Sequence, residues 1–531
     1  MTRAGQFSTA PGSATGWRID RITAPSRLFG ANGLRTGPDG RVYIAQVTGS
    51  QISALDLGSG QIDAISPKGG AIVAPDDVAF ADDGTLFATE VMDGRVSAYA
   101  NGHTRVLRDD LPSANGITVH RGRLFVGECR EGGRLLELDL AGGPPRVLLE
   151  DVPSPNAMEF GPDGLLYFPV MGANEIWRID PDQSGSSTAE KVAGDLGVPD
   201  AVKFDADGQI VSTQVASGQV LRIDPKTGAQ TVLATLTPGL DNLTFADGRL
   251  LVSNFTGEIT EIVDGAARTV LPGGLNWPLD LAVGADGHLY VADGTYFYRL
   301  GEGGALQTVG MLFSPGYPGF LRGIAASGTD EFVVTTSGGQ VARYRPGAAE
   351  TEYLADGFDQ LYGVALAPGG AAVVAEFGTG QVLSVQSGQT SVLATGLAEP
   401  VGVLVDTAGT VLVTESGGGR VARLAGGGAE TVLDGLVSPQ GLAEFGGRLY
   451  VVDAGDKSVV EFDPATGARR TIATGLPLGV PPGVTPRPLH GMPPFSGPQG
   501  PFAGITADAD GTLFVSADGD GSVLALRRTT A

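Results

Sequence analysis

The sequence predicts an all-β protein made of two tandem six-bladed β-propellers, twelve four-stranded blades in total. Three observations lead there. No segment of helical length carries a 3.6-residue apolar period, while short Val/Leu/Ile/Phe/Tyr runs broken by glycine recur throughout the 531 residues. A strand–turn–strand unit returns twelve times, at intervals of about 40 residues. The last repeat stops after its third strand, SVLALRR (522–528), and an orphan strand, WRIDRIT (17–23), precedes the first.

Aligned on their first strands, the repeats begin with ANGLRTGPDGRVYIAQ (31–46) and PDDVAFADDGTLFATE (75–90). ANGITVHRGRLFVGE (114–128), PNAMEFGPDGLLYFPV (155–170), PDAVKFDADGQIVSTQ (199–214) and LDNLTFADGRLLVSN (240–254) complete the first six. The second six start at 278, 321, 361, 400, 439 and 502. Each hairpin is followed by a third strand such as GQVLRIDP (218–225) and a fourth such as AQTVLATL (229–236). Twelve blades exceed the usual four to eight of one ring, which favours two rings. Residues 1–16 read as a flexible tail, 17–265 as the first propeller and 266–531 as the second. The orphan strand is expected to close blade 6, and AARTVL (266–271) to open the second ring and close blade 12. Residues 477–501, rich in Pro and Gly, form one long insertion before the inner strand of blade 12.

Composition bounds the function. A net charge of −24 argues against nucleic acid or an anionic membrane as partner. The single cysteine, Cys129, excludes an intrachain disulfide framework and fits a reducing compartment. The N-terminus lacks the apolar core of a signal peptide and no run is long enough to span a bilayer, so a cytoplasmic location is expected. Gly-x-Ser-x-Gly, His-Glu-x-x-His, Cys-x-x-Cys and phosphate-loop motifs are absent from the sequence. The Asp-Gly pairs at 39–40, 83–84, 163–164, 207–208 and 286–287 recur in both halves and join the first two strands, which makes them hairpin turns rather than calcium loops.

In a propeller the first strand of each blade lines the central channel, and its opening residue points into a shared ring. That position holds Asn32, Asp76, Asn115, Asn156, Asp200 and Asp241 in the first half. In the second half it holds Leu279, Arg322, Tyr362, Val401, Gln440 and Ala503. Were Asn and Asp needed only to turn the chain, both halves would keep them. Three carboxylates and three amides converging on one axis favour a hard divalent cation, Ca²⁺ before Mg²⁺ or Mn²⁺. Zn²⁺ is disfavoured because none of His103, His120, His288 and His490 stands in the ring. A further tier at the second-strand ends contains Glu90 and Glu128, candidates for general acid–base work beside Asp200, Asp76 and Asp241. Equivalent acidic residues in the second half also allow a plain loop-capping role for this tier. Arg322, Tyr362, Gln440 and, from the long loop, His490 are candidates for a weaker pocket in the second propeller.

At these ring positions the chain resembles the gluconolactonase/senescence-marker-protein (regucalcin) family of six-bladed propellers. SPNAMEF (154–160) and VPDAVKF (198–204) look like the family's Pro-Asn-Gly and Pro-Asp-Gly segments, which implies metal-ligand roles for Asn156 and Asp200. SANGIT (113–118) resembles the preceding Asn-containing segment, with Asn115 approximately in register. The family's glutamate ligand at the first blade is replaced by Asn32. The site resemblance covers the first half alone.

The function expected is divalent-metal-dependent hydrolysis of a lactone or related cyclic ester at the first channel mouth, on a small-molecule substrate and without an organic cofactor. Two alternatives stand beside it: a metal-dependent lyase or cyclase, and a non-catalytic ligand- or protein-binding double propeller. The second ring reads as a degenerate copy kept as scaffold.

Overall fold

The structure, a computed structural model, describes residues 2–7, 10–183 and 188–529. Among them lie twelve antiparallel sheets, eleven of four strands and one of five. The helical elements of the described residues are three-residue 3₁₀ turns. No helix there is long and apolar enough to cross a membrane. The Asp-Gly pairs turn as expected. In the first, Gly37 donates to Arg41 O and Gly40 takes the left-handed φ of 78° that a type I turn followed by a bulge demands.

The chain divides into two compact units, each with six sheets. In the first, the inner strands are Leu34–Thr36, Pro75–Phe80, Ala114–His120, Glu159–Phe160, Pro199–Phe204 and Leu240–Ala246. In the second they are Asp280–Val283, Leu321–Gly328, Leu361–Leu366, Pro400–Val405, Pro439–Phe445 and Ile505–Ala507. A hydroxyl on the second strand of one blade staples the entrance carbonyl of the next. Thr213 Oγ1 donates to Asp241 O (2.5 Å) and Thr414 Oγ1 to Gln440 O (2.6 Å). The same staple closes each ring: Ser253 of blade 6 donates to Asn32 O of blade 1, and Ser516 of blade 12 to Leu279 O of blade 7, both at 2.7 Å. The apolar cores lie between neighbouring sheets, as where Phe87 and Val96 of blade 2 meet Ile117 and Leu124 of blade 3.

The strand exchange expected from the sequence is reversed. Ala266–Leu271 pairs with Ile259–Val263 and completes blade 6. Asp264 and Gly265 join the two strands with φ of 49° and 77°, a two-residue hairpin that commits residues 266–271 to the strand just made. The N-terminal strand Trp17–Arg21 instead pairs with Ser522–Arg528 and supplies the missing fourth strand of blade 12. Arg3–Ser26 therefore belongs to the second unit, with Gly274–Gly483 and Pro493–Ala531, and the first unit begins at Arg27.

The stretch 1–16, expected as a flexible tail, is also built in where it is described; Met1, Ser8 and Thr9 lie outside the described residues. Gly12–Ser13 adds a fifth strand to blade 11. Arg3 is buried, its guanidinium donating to the carbonyls of Leu275, Asn276, Asp518 and Gly519.

Candidate functional site

A left-handed residue precedes every strand entrance of the first unit by two positions. Gly30, Ala74, Ser113, Ser154, Val198 and Gly239 all have positive φ, and Val198, at 66°, is β-branched. Such a conformation is costly for a branched side chain and persists only where surroundings hold it. The carbonyls of five of them hold the chain just past the second strand: Val91 donates to Ala74 O, Cys129 to Ser113 O, Met171 to Ser154 O, Val215 to Val198 O and Phe255 to Gly239 O. The second unit keeps this geometry at Gln360 and Glu399 but not at Trp277 or Phe320.

Asp76, Asn115, Asn156, Asp200 and Asp241 are buried at the mouth of the first channel, and Asn32 is half-buried. The three aspartates feel one another. Burial first, then Asp77, pushes the Asp76 carboxyl up to about 7. Burial and the charges of Asp76 and Asp77 raise Asp200 well above the ordinary carboxylate range, and burial with Asp200 and Asp76 does the same to Asp241.

The six entrance residues do not act alike. The Asn32 amide turns its nitrogen to Asp241 Oδ2 (3.0 Å) while its oxygen accepts from Val47 N (3.1 Å), so Asn32 supports Asp241 as a donor and does not face the mouth with its oxygen. Asn156 Oδ1 accepts from Ala157 N (2.8 Å), and its nitrogen lies 3.0 Å from Met171 Sδ. Among the described residues, no three His, Cys, Asp or Glu side chains come close enough to hold a metal ion by themselves. Any cation here needs amide oxygens as well as carboxylates.

Glu90 and Glu128 belong to the scaffold. Both are fully buried. Glu90 Oε2 accepts from Val73 N (2.5 Å) and pairs with Arg95; Glu128 is clasped by Arg134 (Nε at 2.9 Å) and Arg130 (3.2 Å). The same loop cap recurs where Gln46 receives Phe29 N and Gln214 receives Gly197 N, and in the second unit where Asp293 receives Asn276 N and Glu415 receives Ala398 N. A periodic cap explains why acidic residues stand at this position in both halves. Glu90→Gln is accordingly expected to cost roughly 1–3 kcal/mol in urea unfolding and to leave metal content, read by elemental analysis, unchanged.

Two groups of residues escaped the entrance alignment. One position deeper, Asp77 Oδ1 accepts from Val78 N (2.8 Å) and Asn242 Nδ2 (3.3 Å), and Oδ2 from Ile117 N (3.2 Å). Two positions deeper still, Arg35 crosses the channel. It donates to Val78 O (3.1 Å), Ile117 O (3.0 Å) and Glu159 Oε2 (2.7 Å), and Lys203 Nζ lies 3.1 Å from the same carboxylate oxygen. Strand alternation was the signal available in the sequence: residues one and three past each entrance share a face, and the register shift just after the entrance, as at Pro75/Val78 and Pro199/Val202, lets them follow the entrance residue into the channel. The third missed feature is sulfur. Cys129 and Met171, each one residue past a second strand, place their sulfur atoms 3.8 Å apart. Burial, then Asp200, Asp76 and Asp241, holds the Cys129 thiol well above its ordinary value and hence neutral.

The candidate pocket of the second unit is filled by the chain itself. The Arg322 guanidinium donates to Leu361 O (2.9 Å) and Pro498 O and lies over the Tyr362 ring, while Gln440 Oε1 accepts from Ala503 N (2.7 Å). These residues anchor the end of the long insertion. His490 is not among them: Val484–Met492 belongs to the first unit, where His490 Nδ1 lies 3.1 Å from Asp93 Oδ1.

The family profile described as SMP-30/Gluconolactonase/LRE-like region matches residues 15–251. No curated protein matches the chain in sequence. Solved structures similar to it include a streptogramin B lyase, 19% identical, covering 53% of this chain and 96% of that one, with a TM-score of 0.39. A gluconolactonase from Xanthomonas campestris is 17% identical, with coverages of 46% and 88% and a TM-score of 0.39. A calcium-binding protein, regucalcin, from Agrobacterium tumefaciens is 22% identical, with coverages of 44% and 85% and a TM-score of 0.35. Over residues 15–251, somewhat less than half of its length, the chain is thus similar to the SMP-30/gluconolactonase/LRE-like region.

Proposed function

We propose that the first unit is a divalent-metal-dependent hydrolase of a lactone or related cyclic ester, acting at its channel mouth. One observation carries this reading. Asp76, Asp77, Asp200, Asp241 and Glu159 place five carboxylates in the channel against two cations, Arg35 and Lys203. The side chains of Asp76 and Asp200, at the mouth, have no hydrogen-bond partner among the described residues. Buried negative charge without a partner is costly, and hard oxygen donors suit a hard cation.

Asp200 and Asp76, with Asn115 and Asn156, are the residues that would hold it; the Asn156 oxygen keeps a second lone pair beyond its bond to Ala157 N. When bound, a divalent ion supplies Lewis-acid polarisation of an ester carbonyl. The chain's own part is proton handling. Asp241, whose carboxyl burial and the charges of Asp200 and Asp76 raise well above the ordinary carboxylate range, is the group placed to handle the proton, and the Asn32 amide fixes its orientation. Asp77 stays braced by backbone N–H groups and sets the field that keeps its neighbours basic.

The test compares wild type with Asn156→Ala/Asp200→Ala. Wild type is expected to carry stoichiometric divalent metal by elemental analysis and to hydrolyse a panel of γ- and δ-lactones in a chelator-sensitive way, and the double variant to lose both. Metal lost without hydrolysis of any lactone would leave elimination, cyclisation or binding. A wild type without stoichiometric metal would sink the metal reading itself.

A further inference from the structure

The two units share one inner-strand register but fill their channels differently. At the position where the first unit carries Arg35, Glu159 and Lys203, the second carries Ala282, Leu404 and Ala443. Among the described residues, no side chain replaces the guanidinium that spans the first channel. A cavity of about 330 Å³ results, lined by residues such as Ala282, Ala325, Ala365, Leu404 and Thr506. That is the lower end of small-ligand pockets. Its width is built into the backbone: a Cβ on Gly363, Gly402 or Gly441 would come within 3 Å of the next strand's main chain. Phe502, buried with Leu279, Tyr362 and Val401, closes the entrance end.

One ionisable side chain lines this cavity, Asp280. It is the second unit's counterpart of Asp77 and is braced the same way, Oδ1 accepting from Leu281 N (2.9 Å) and Oδ2 from Ile324 N (3.0 Å). The difference is the countercharge. Burial raises the Asp77 carboxyl as well, but Arg35 and Lys203 pull against it, whereas only those two N–H groups offset the burial that pushes Asp280 up to about 7. The carbonyl-bearing residues equivalent to Val78 and Ile117, which receive Arg35, are Ile324 and Val364, and both line the cavity.

We propose that the channel of the second unit binds a small organic cation, a guanidinium or primary ammonium on a slender aliphatic chain, with its charged head at Asp280. The aliphatic part lies along the alanine-lined wall. The site is independent of the metal reading above.

Butylguanidinium, titrated calorimetrically into the full chain, is expected to bind saturably, with the neutral butylurea weaker by roughly tenfold or more. Asp280→Asn is expected to abolish the preference for the cation. Because that change also disturbs the bond to Ile324 N, a second variant is needed: Ala365→Leu fills the cavity, leaves Asp280 intact and is expected to remove binding. Absence of saturable binding at millimolar ligand, equal affinity for butylurea, or binding that survives Ala365→Leu in a protein of unchanged circular dichroism would each overturn the proposal.

Discussion

Glu159→Gln is expected to destabilise the first unit by about 3–5 kcal/mol, the usual cost of breaking a buried ion pair from one side. For a unit of this size that corresponds to a fall of roughly 10 °C in the thermal midpoint. Glu159 forms direct ion pairs with both Arg35 and Lys203 in the channel, and all three side chains are largely buried. Lys203 is held below its ordinary 10.5 by burial and by Arg35, so the ammonium survives there through Glu159. Arg35, with two backbone acceptors besides, is the firmer partner. Replacing the triad as a set with the second unit's residues, Arg35→Ala/Glu159→Leu/Lys203→Ala, is expected to cost less than Glu159→Gln alone, because the one group left without a cation, Asp77, keeps its backbone N–H donors as Asp280 does in the second unit.

The pH dependence has a definite sign. Although burial alone would raise the Glu159 carboxyl, Lys203 and Arg35 hold it down at about 2 against an ordinary 4.5. A depressed acid stabilises the fold fully above the unfolded value and loses that contribution as pH falls from about 4.5 towards 2. Urea midpoints of wild type should therefore fall through that window more steeply than those of Glu159→Gln. Parallel profiles would mean the triad contributes no differential charge stabilisation.

Removing residues 1–26 is expected to damage the second unit and spare the first. Blade 12 would lose its outer strand, exposing the ladder of Ser522–Arg528, together with the buried Trp17 that packs near Tyr450 and Leu526. Truncating a buried tryptophan alone costs about 3–5 kcal/mol, and the Arg3 bonds to four carbonyls go as well. Amide hydrogen exchange reads this directly. Protection should collapse in Leu513–Ala517 and Ser522–Arg528 and persist in Ile259–Val263 and Ala266–Leu271. Loss confined to blade 6 would reverse the assignment of the closing strand.

That assignment shows where sequence reasoning reached and where it stopped. Blade number, hairpin turns and the entrance ring were legible because each rests on local chemistry: alternation, Asp-Gly turns and a repeating phase. The closing strands were not settled by the repeat phase, since Trp17–Arg21 and Ala266–Leu271 can both serve as outer strands. The decisive detail was the Asp264–Gly265 hairpin, which needs no long-range information. At the site, Asn32 and Asn156 share an aligned position in the sequence, yet the direction of an amide depends on which neighbours saturate it. Val47 N and Ala157 N do so here. Glu90 and Glu128 invited a catalytic reading from their charge; Val73 N, Arg95 and Arg134 make them struts.

By itself, then, the sequence determined two rings of six blades and an Asn/Asp ring in the first of them, because strand period, turn residues and repeat phase are written within a few residues of one another. Tertiary structure alone decided which carboxylates are left without partners. It also decided whether a channel is plugged or open. Both depend on residues distant in sequence: Arg35 meets Glu159 across the first channel, and Asp280 meets no cation among the described residues.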